Sequence, residues 1–236
     1  MSGEPLPLPV STEFDLRLQL PNHALFVGPS MSGKTRLALS LLEQAPNCLH
    51  PVPDSVHIFY DQWQEQYRTT QTRLEAMGVE VKISPGGGSL TLSDFSPATP
   101  HRHTLVLIDD AGDETAASSE IARIFTNGRH KNLSLWLLWH TLFSKHPPGR
   151  TIAQNAAYQF FLPGPRLGSQ IHSLDTQLAY HGDLSAAYRV TLEEVNWTRR
   201  HLLLDLTPTT PEAFRLRSQV SDPHIQLIFL RRFSST

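Results

Sequence analysis

Gly28-Pro29-Ser30-Met31-Ser32-Gly33-Lys34-Thr35 decides how the rest of the chain is read. The stretch has the form G-x-x-x-x-G-K-T and lies between an apolar run, Ala24 to Val27, and a helix-like run, Thr35 to Glu43. Strand, glycine-rich turn and helix form the context that a phosphate-binding P-loop needs. The glycines let the backbone curl until successive N–H groups point inward at an anion. The N-terminus of the following helix adds partial positive charge beneath it. In that arrangement Lys34 reaches the terminal phosphates and the Thr35 hydroxyl holds Mg²⁺. The competing reading is a glycine turn ahead of an ordinary helix.

Working outward, the second landmark is Thr104-Leu105-Val106-Leu107-Ile108-Asp109-Asp110. An apolar strand ending in two acids fits a Walker B element, with Asp109 brought beside the Mg²⁺ of the P-loop. Asp110 then points differently and is a candidate general base for the attacking water. Glu114 is a second candidate for that role. A third strand, Leu133 to Trp139, ends at His140, which is placed to sense a γ-phosphate by hydrogen bonding. A structural role for a histidine at a strand end is the alternative.

Other elements follow the same logic. Phe14 to Leu20 alternates apolar and polar residues, the period of a half-buried strand. Pro21-Asn22-His23 then suggests a hairpin with Ala24 to Val27. Ser55 to Tyr60 reads as a buried strand of a parallel sheet, followed by a polar helix over Gln62 to Met77 that Gly78 stops. Val79 to Ile83, Ala157 to Leu162, His201 to Leu206 and Phe214 to Val220 are further strands. Pro85 to Ser89 is a flexible break, Leu90 to Phe95 a short strand, and Pro97 to His103 linker-like. Helices are expected after the P-loop, over Ser119 to Phe125, around Ile171, Leu174 and Leu178, and over Leu184 to Val195. Strands alternating with helices imply an α/β fold, a P-loop NTPase three-layer sandwich with a mainly parallel central sheet and extra strands at its C-terminal edge. The domain is expected over 14–220, with a flexible arm at 1–13 and a terminal strand or arm at 221–236.

Composition narrows the function classes. Apolar residues make up 39% and charged residues 18% of the 236, a balance that argues against disorder. Cys48 is the one cysteine, which excludes an intrachain disulfide framework and a Cys-cluster metal site. No apolar run is long enough to span a bilayer and no basic-then-apolar leader is visible, so a soluble intracellular protein is expected. The net charge of −2 carries no basic excess of the kind that advertises nucleic-acid binding. No guanine-reading element stands in a suitable place, which disfavours a GTPase. Arg150 and Arg166 keep a small-molecule kinase open.

Several separated motifs resemble one family. Ile124-Phe125-Thr126-Asn127-Gly128-Arg129-His130-Lys131-Asn132-Leu133-Ser134-Leu135, followed by Leu142-Phe143, is similar to the signature of the poxvirus-type virion DNA-packaging ATPases of the FtsK–HerA superfamily. That family also occurs in large DNA viruses, virophages and Polinton- or adintovirus-like elements. Arg150 to Tyr158, Pro165-Arg166, Gln170-Ile171, His201 to Leu206 and Arg215-Leu216-Arg217 resemble it too, so the likeness runs from about Phe14 to Val220.

The resemblance implies a RecA/FtsK–HerA-like fold and an ATP-driven motor that pumps double-stranded DNA into a preformed capsid. It implies a homo-oligomeric ring, hexamer or pentamer, with ATP and Mg²⁺ at subunit interfaces and a capsid or portal-vertex protein as partner. It places such a protein at sites of virion assembly in the host cytoplasm or nucleus, without stable membrane insertion. Carried over by position, Gly28, Pro29, Ser30, Met31, Ser32, Gly33, Lys34 and Thr35 hold the nucleotide, Thr35 and Asp109 the metal, and Asp110 the water. Arg129 or Arg166 would supply an arginine finger to a neighbour, an interaction worth on the order of 10³-fold in rate. DNA would be gripped by its backbone, with Arg129, His130, Lys131, Arg199, Arg200 and Arg68 as candidates. Two features depart from the family. His140 stands where glutamine is usual, and the turn Arg129-His130-Lys131 is less rich in histidine. Another P-loop DNA motor (helicase-like or conjugation-type) and a nucleotide-binding switch without productive turnover remain as alternatives.

Overall fold

Ala24–Val27 lies inside the sheet, with Ala24 level with Trp136 on one side and with Tyr158 on the other. The computed structural model describes residues 14–86, 102–109, 118–196, 199–222 and 226–231. In chain order the strands are β1 (Leu18–Gln19), β2 (Ala24–Val27), β3 (Leu49–His50), β4 (Ser55–Tyr60), β5 (Glu80–Pro85) and β6 (Thr104–Asp109). They continue as β7 (Leu133–Trp139), β8 (Tyr158–Phe161), β9 (Leu202–Asp205), β10 (Leu216–Ser218) and β11 (Leu227–Ile228). The helices are α1 (Lys34–Glu43), α2 (Ala45–Cys48), α3 (Gln66–Ala76), α4 (Ser119–Asn127), α5 (Pro147–Asn155), α6 (Leu167–Gln177) and α7 (Asp183–Leu192).

The main sheet runs β11-β10-β9-β8-β2-β7-β6-β4-β5. From β8 to β5 every pairing is parallel, whereas β9, β10 and β11 add antiparallel strands at one edge. The parallel part has the strand of the P-loop separated from the strand of Asp109 by β7. This is an α/β sandwich with a mainly parallel central sheet, as the alternation of elements leads one to expect, and placing one strand between those of the P-loop and Asp109 makes it RecA-like.

Burial explains why the strands lack strict alternation. All four residues of β2 and all seven of β7 are buried, because both faces of the sheet are covered. Leu25, Val27, Leu135 and Leu137 pack with Ile121, Phe125, Ile152, Ile171 and Leu184 on one face. Ala24, Phe26, Trp136 and Leu138 pack with Leu37, Leu41, Leu42, Tyr67 and Leu74 on the other. Helices α4 to α7 thus form one outer layer, and α1 with α3 the opposite one.

The hairpin expected between Phe14 to Leu20 and β2 does not form. Strand β1 shrinks to Leu18–Gln19 and pairs in parallel with β3 in a separate small sheet, and Leu20 N donates to His50 O at 2.7 Å. The physical reason is that β2 spends both its edges on β7 and β8, so no ladder is left for a hairpin partner. Helix α3 begins at Gln66, later than the sequence suggests, and β5 runs on to Pro85. Helix α5 was not anticipated; Pro147 and Pro148 open it, where the fixed proline φ favours the first turn.

The arm at 1–13, the short strand at 90–95, most of the break at 85–89 and most of the linker at 97–103 lie outside the described residues, as do Asp110 and Glu114. No helix among the described residues is long and apolar enough to cross a membrane.

Candidate nucleotide site

The site is assembled at the C-terminal ends of β2, β6 and β7, where open α/β sheets bind ligands. From β2 the chain enters the loop 28–33. Gly28 N donates to Trp139 O at 3.1 Å, fastening the loop to the end of β7. A Cβ at Gly28 would lie 2.6 Å from Ser32 Oγ, so the loop closes on itself only because residue 28 has no side chain. Gly33 has a φ of 94°, in the left-handed region that other residues rarely adopt, and leads directly into α1. No side chain caps the start of α1 and no acid lies in its first turn. Its leading N–H groups and positive dipole end are therefore left for an anion. Ser32 is buried, and its hydroxyl makes no hydrogen bond among the described residues.

Lys34 is also buried, and its ammonium donates to Gly28 O at 2.8 Å and Pro29 O at 2.9 Å. The same nitrogen lies 3.5 Å from Nδ1 of His140. The structure thus brings the sensor candidate at the end of β7 to the P-loop lysine. Thr35 Oγ1 donates to Asp109 Oδ1 at 3.0 Å, so the two residues expected to share a metal are adjacent. Asp109 is itself buried at the end of β6. Its other oxygen, Oδ2, accepts a 2.6 Å hydrogen bond from the phenol of Tyr67 on α3.

Tyr67 belongs to the site as well, in a segment whose sequence reads only as a polar helix. The signal was present in the spacing: Tyr67, Thr70 and Leu74 are the buried residues of α3, at i, i+3 and i+7.

Two open cavities adjoin the loop. One of about 350 Å³ is lined by Ser30, Lys34, Thr35, Gln64 and Asp109 among others, and has the position required of a phosphate–metal pocket. A larger one of about 770 Å³ runs along α1 past Leu37 and Ser40 to Arg200 and His201. Met31, Gly33, Arg36 and Gln66 border both. The larger cavity continues from the P-loop and has room for a group the size of a nucleoside.

The donors present suit one kind of metal. A hydroxyl and a carboxylate facing each other are hard oxygen ligands, and Mg²⁺ binds through one or two such groups together with phosphates and water. No cluster of three or more His, Cys, Asp or Glu side chains able to hold a metal occurs among the described residues. Thr35 and Asp109 therefore fit Mg²⁺ held jointly with a nucleotide. Bound there, the ion would neutralise charge on the phosphate oxygens during transfer.

The two arginine candidates lie at opposite ends of the parallel strands. Arg166 is exposed just after β8, close to Gly164, whose backbone lies against the Pro29 ring of the P-loop. Arg129 is exposed in the 3-10 turn Gly128–Lys131, which precedes β7, so a whole strand separates it from His140. Neither arginine reaches the phosphate pocket of its own chain as a lining residue. Among the DNA candidates, Arg199 is paired with Asp222 at 2.7 Å, Arg200 donates to Glu194 O, and Arg68 lies 3.6 Å from Glu65 on the surface. Burial pushes the Cys48 thiol up to about 11, which removes it as a nucleophile.

Fold and site together define a P-loop protein of the RecA-like α/β type. No family model matches the chain, and no curated protein matches it. Among solved structures, the ATPase DotB of Legionella pneumophila matches at 13% identity with a TM-score of 0.37, over 59% of this chain and 40% of that one. The cytoplasmic domain of the type VII secretion ATPase EccC of Thermomonospora curvata matches at 16% identity with a TM-score of 0.41, over 59% of this chain and 20% of that one. ATPases 2 and 3 of the same EccC, in complex with a signal sequence peptide, give 16% identity, a TM-score of 0.37, and coverage of 61% and 30%. The chain thus spans well under half the length of each of these structures.

Proposed function

We propose that this chain is an Mg²⁺-dependent ATPase that translocates double-stranded DNA, working as a homo-oligomeric ring that fills a preformed viral or virus-like capsid. The observation that carries the ATPase part is the convergence of Lys34, Thr35, Asp109 and His140 at the ends of three neighbouring strands. Lys34 and the N-terminus of α1 supply positive charge for the phosphates. Thr35 and Asp109 supply the metal ligands, and His140 is a hydrogen-bonding group beside Lys34, within reach of a γ-phosphate that the lysine would hold. Asp110, next after the metal ligand, is proposed as the general base, with Glu114 as the alternative.

The packaging part of the proposal is supported by the motif resemblance over Ile124 to Leu135 and the later segments. Membership of the FtsK–HerA superfamily belongs to the same proposal. Arg166 or Arg129 of a neighbouring copy would complete the site, and basic side chains facing a central channel would hold the DNA backbone without reading bases.

The test is ATP hydrolysis by the purified protein with and without linear double-stranded DNA, over a range of protein concentrations. Turnover that rises steeply with protein concentration and is stimulated by DNA supports a motor assembled at interfaces. Turnover indifferent to both defeats the translocase reading and leaves a self-contained P-loop enzyme. Binding of nucleotide with no turnover under any condition favours a switch instead.

A further inference from the structure

The geometry points to Tyr67 as a positioning residue for the metal site: its phenol fixes the rotation of the Asp109 carboxylate so that Oδ1 faces Thr35. The inference rests on the proposed use of Mg²⁺ with a nucleotide. Tyr67 is fully buried near the start of α3, and its hydroxyl donates to Asp109 Oδ2 at 2.6 Å. Asp109 Oδ1 meanwhile accepts from Thr35 at 3.0 Å. The two oxygens thus have different partners, on two different helices, and the carboxylate plane is held from both ends. A carboxylate that rotates freely loses the preorientation on which a small, geometrically demanding cation depends.

The ring of Tyr67 is itself fixed. It lies 5.6 Å from the Tyr60 ring and 5.7 Å, edge-on, from that of Trp63. Tyr60 is the register partner of Asp109 between β4 and β6. The aromatic group therefore ties the start of α3 to the same level of the sheet at which the metal ligand sits. Gln64 and Gln66, from the same segment, line the phosphate cavity.

A purely structural tyrosine would make a different prediction, and α3 contains the control. Thr70, also fully buried and on the same face, donates to Glu43 Oε1 on α1 at 2.7 Å without touching Asp109. Tyr67→Phe and Thr70→Val each remove one hydroxyl that joins α3 to the rest of the domain. Only the first acts on the metal ligand.

The experiment compares both variants with the wild-type chain by two titrations. One is binding of a fluorescent ADP without metal. The other is binding of Mn²⁺, read by its electron paramagnetic resonance, in the presence of saturating ADP. Loss of an outer-shell partner typically costs about 10- to 100-fold in metal affinity, and that weakening is expected for Tyr67→Phe with metal-free ADP binding unchanged. Thr70→Val is expected to bind Mn²⁺ as the wild type does. Wild-type Mn²⁺ affinity in Tyr67→Phe overturns the role while leaving the nucleotide site intact. Equal weakening in both variants overturns it too, because it shows a general loosening of α3. If the wild-type chain itself holds no Mn²⁺ with ADP, the proposed nucleotide–metal site fails, and this role falls with it.

Discussion

Lys34 and His140, 106 residues apart in the chain, meet across the mouth of the P-loop with Nζ 3.5 Å from Nδ1. The contact exists because β7 lies between β2 and β6, so its end is the nearest part of the sheet to both the lysine and Asp109. A polar side chain there stands beside the P-loop lysine, at the end of the strand next to that of Asp109.

The first prediction concerns this pair. Lys34→Ala removes the buried ammonium and its charge-assisted hydrogen bonds, worth about 1.5–3 kcal/mol each. Nucleotide affinity should fall by about 10-fold or more, measured by equilibrium binding of a fluorescent ATP analogue. His140→Ala should leave that affinity within about threefold and reduce turnover by about tenfold or more, the pattern of a contact made during phosphate transfer. His140→Gln, which keeps a hydrogen-bonding group, should recover part of the turnover.

Asp109→Asn should separate nucleotide binding from metal dependence. The amide keeps the shape and retains one oxygen but loses the charge that attracts the cation. Titration with Mg²⁺ at fixed nucleotide should show the requirement shifted upward by about tenfold or more, with metal-free binding preserved. Unchanged Mg²⁺ dependence would remove Asp109 from the metal site.

Arg217 and Asp205 form a buried ion pair at 2.7 Å between β10 and β9, with 1% and 3% of their side chains exposed. Asp205 also accepts from Thr207 Oγ1 and Thr210 Oγ1, and Arg217 donates to the backbone carbonyl of Leu16. Arg217→Ala strands a buried carboxylate, a loss of about 3–5 kcal/mol in comparable cases. Urea unfolding should show a matching fall in midpoint. Replacing both charges, Asp205→Asn with Arg217→Met, should cost less than Arg217→Ala alone.

His23 gives the domain a pH dependence below neutrality. It is fully buried before β2; its Nδ1 accepts from Leu135 N at 3.0 Å, and Gly128 packs against its ring. Burial, and secondarily the charge of Arg129, lowers its pKa from 6.5 to about 3. The folded chain therefore keeps the imidazole neutral while the unfolded chain binds a proton below pH 6.5. Its contribution is full above pH 6.5 and declines as the pH falls toward 3, by about 1.4 kcal/mol per unit. Unfolding free energies measured at pH 7 and pH 5 should differ less in His23→Asn than in the wild type. An identical difference in both would show that His23 is not the titrating group.

The strands of the parallel core were largely legible because burial on both faces turns them into continuous apolar runs. Ser55 to Tyr60 and Leu133 to Trp139 match their strands residue for residue. The P-loop was legible because its chemistry is local, eight consecutive residues with fixed backbone needs. The pairing of β1 was not legible, since alternation says that a strand exists but not which edge is free to receive it. Tyr67 was hidden for a related reason. Its partner is 42 positions away, and only the packing of α3 on the sheet brings the phenol to Asp109. Arg217 stood inside a recognised segment, yet nothing in the segment announced a buried guanidinium rather than a surface one.

The two flanks of the main sheet differ from its centre in how they could receive another strand. At one side β11 presents only two residues, and at the other β5 carries Glu80 and Lys82, ion-paired at 3.0 Å, and ends in Pro85. Short, charged or proline-bearing borders resist backbone-to-backbone addition of another strand. Among the described residues, then, the sheet offers poor templates for fibril-like growth, and self-association falls to side chains on helices and loops. A contact made through helices and loops would leave the hydrogen-bond ladders of the sheet undisturbed, and with them the strand ends that hold Lys34, Asp109 and His140 together.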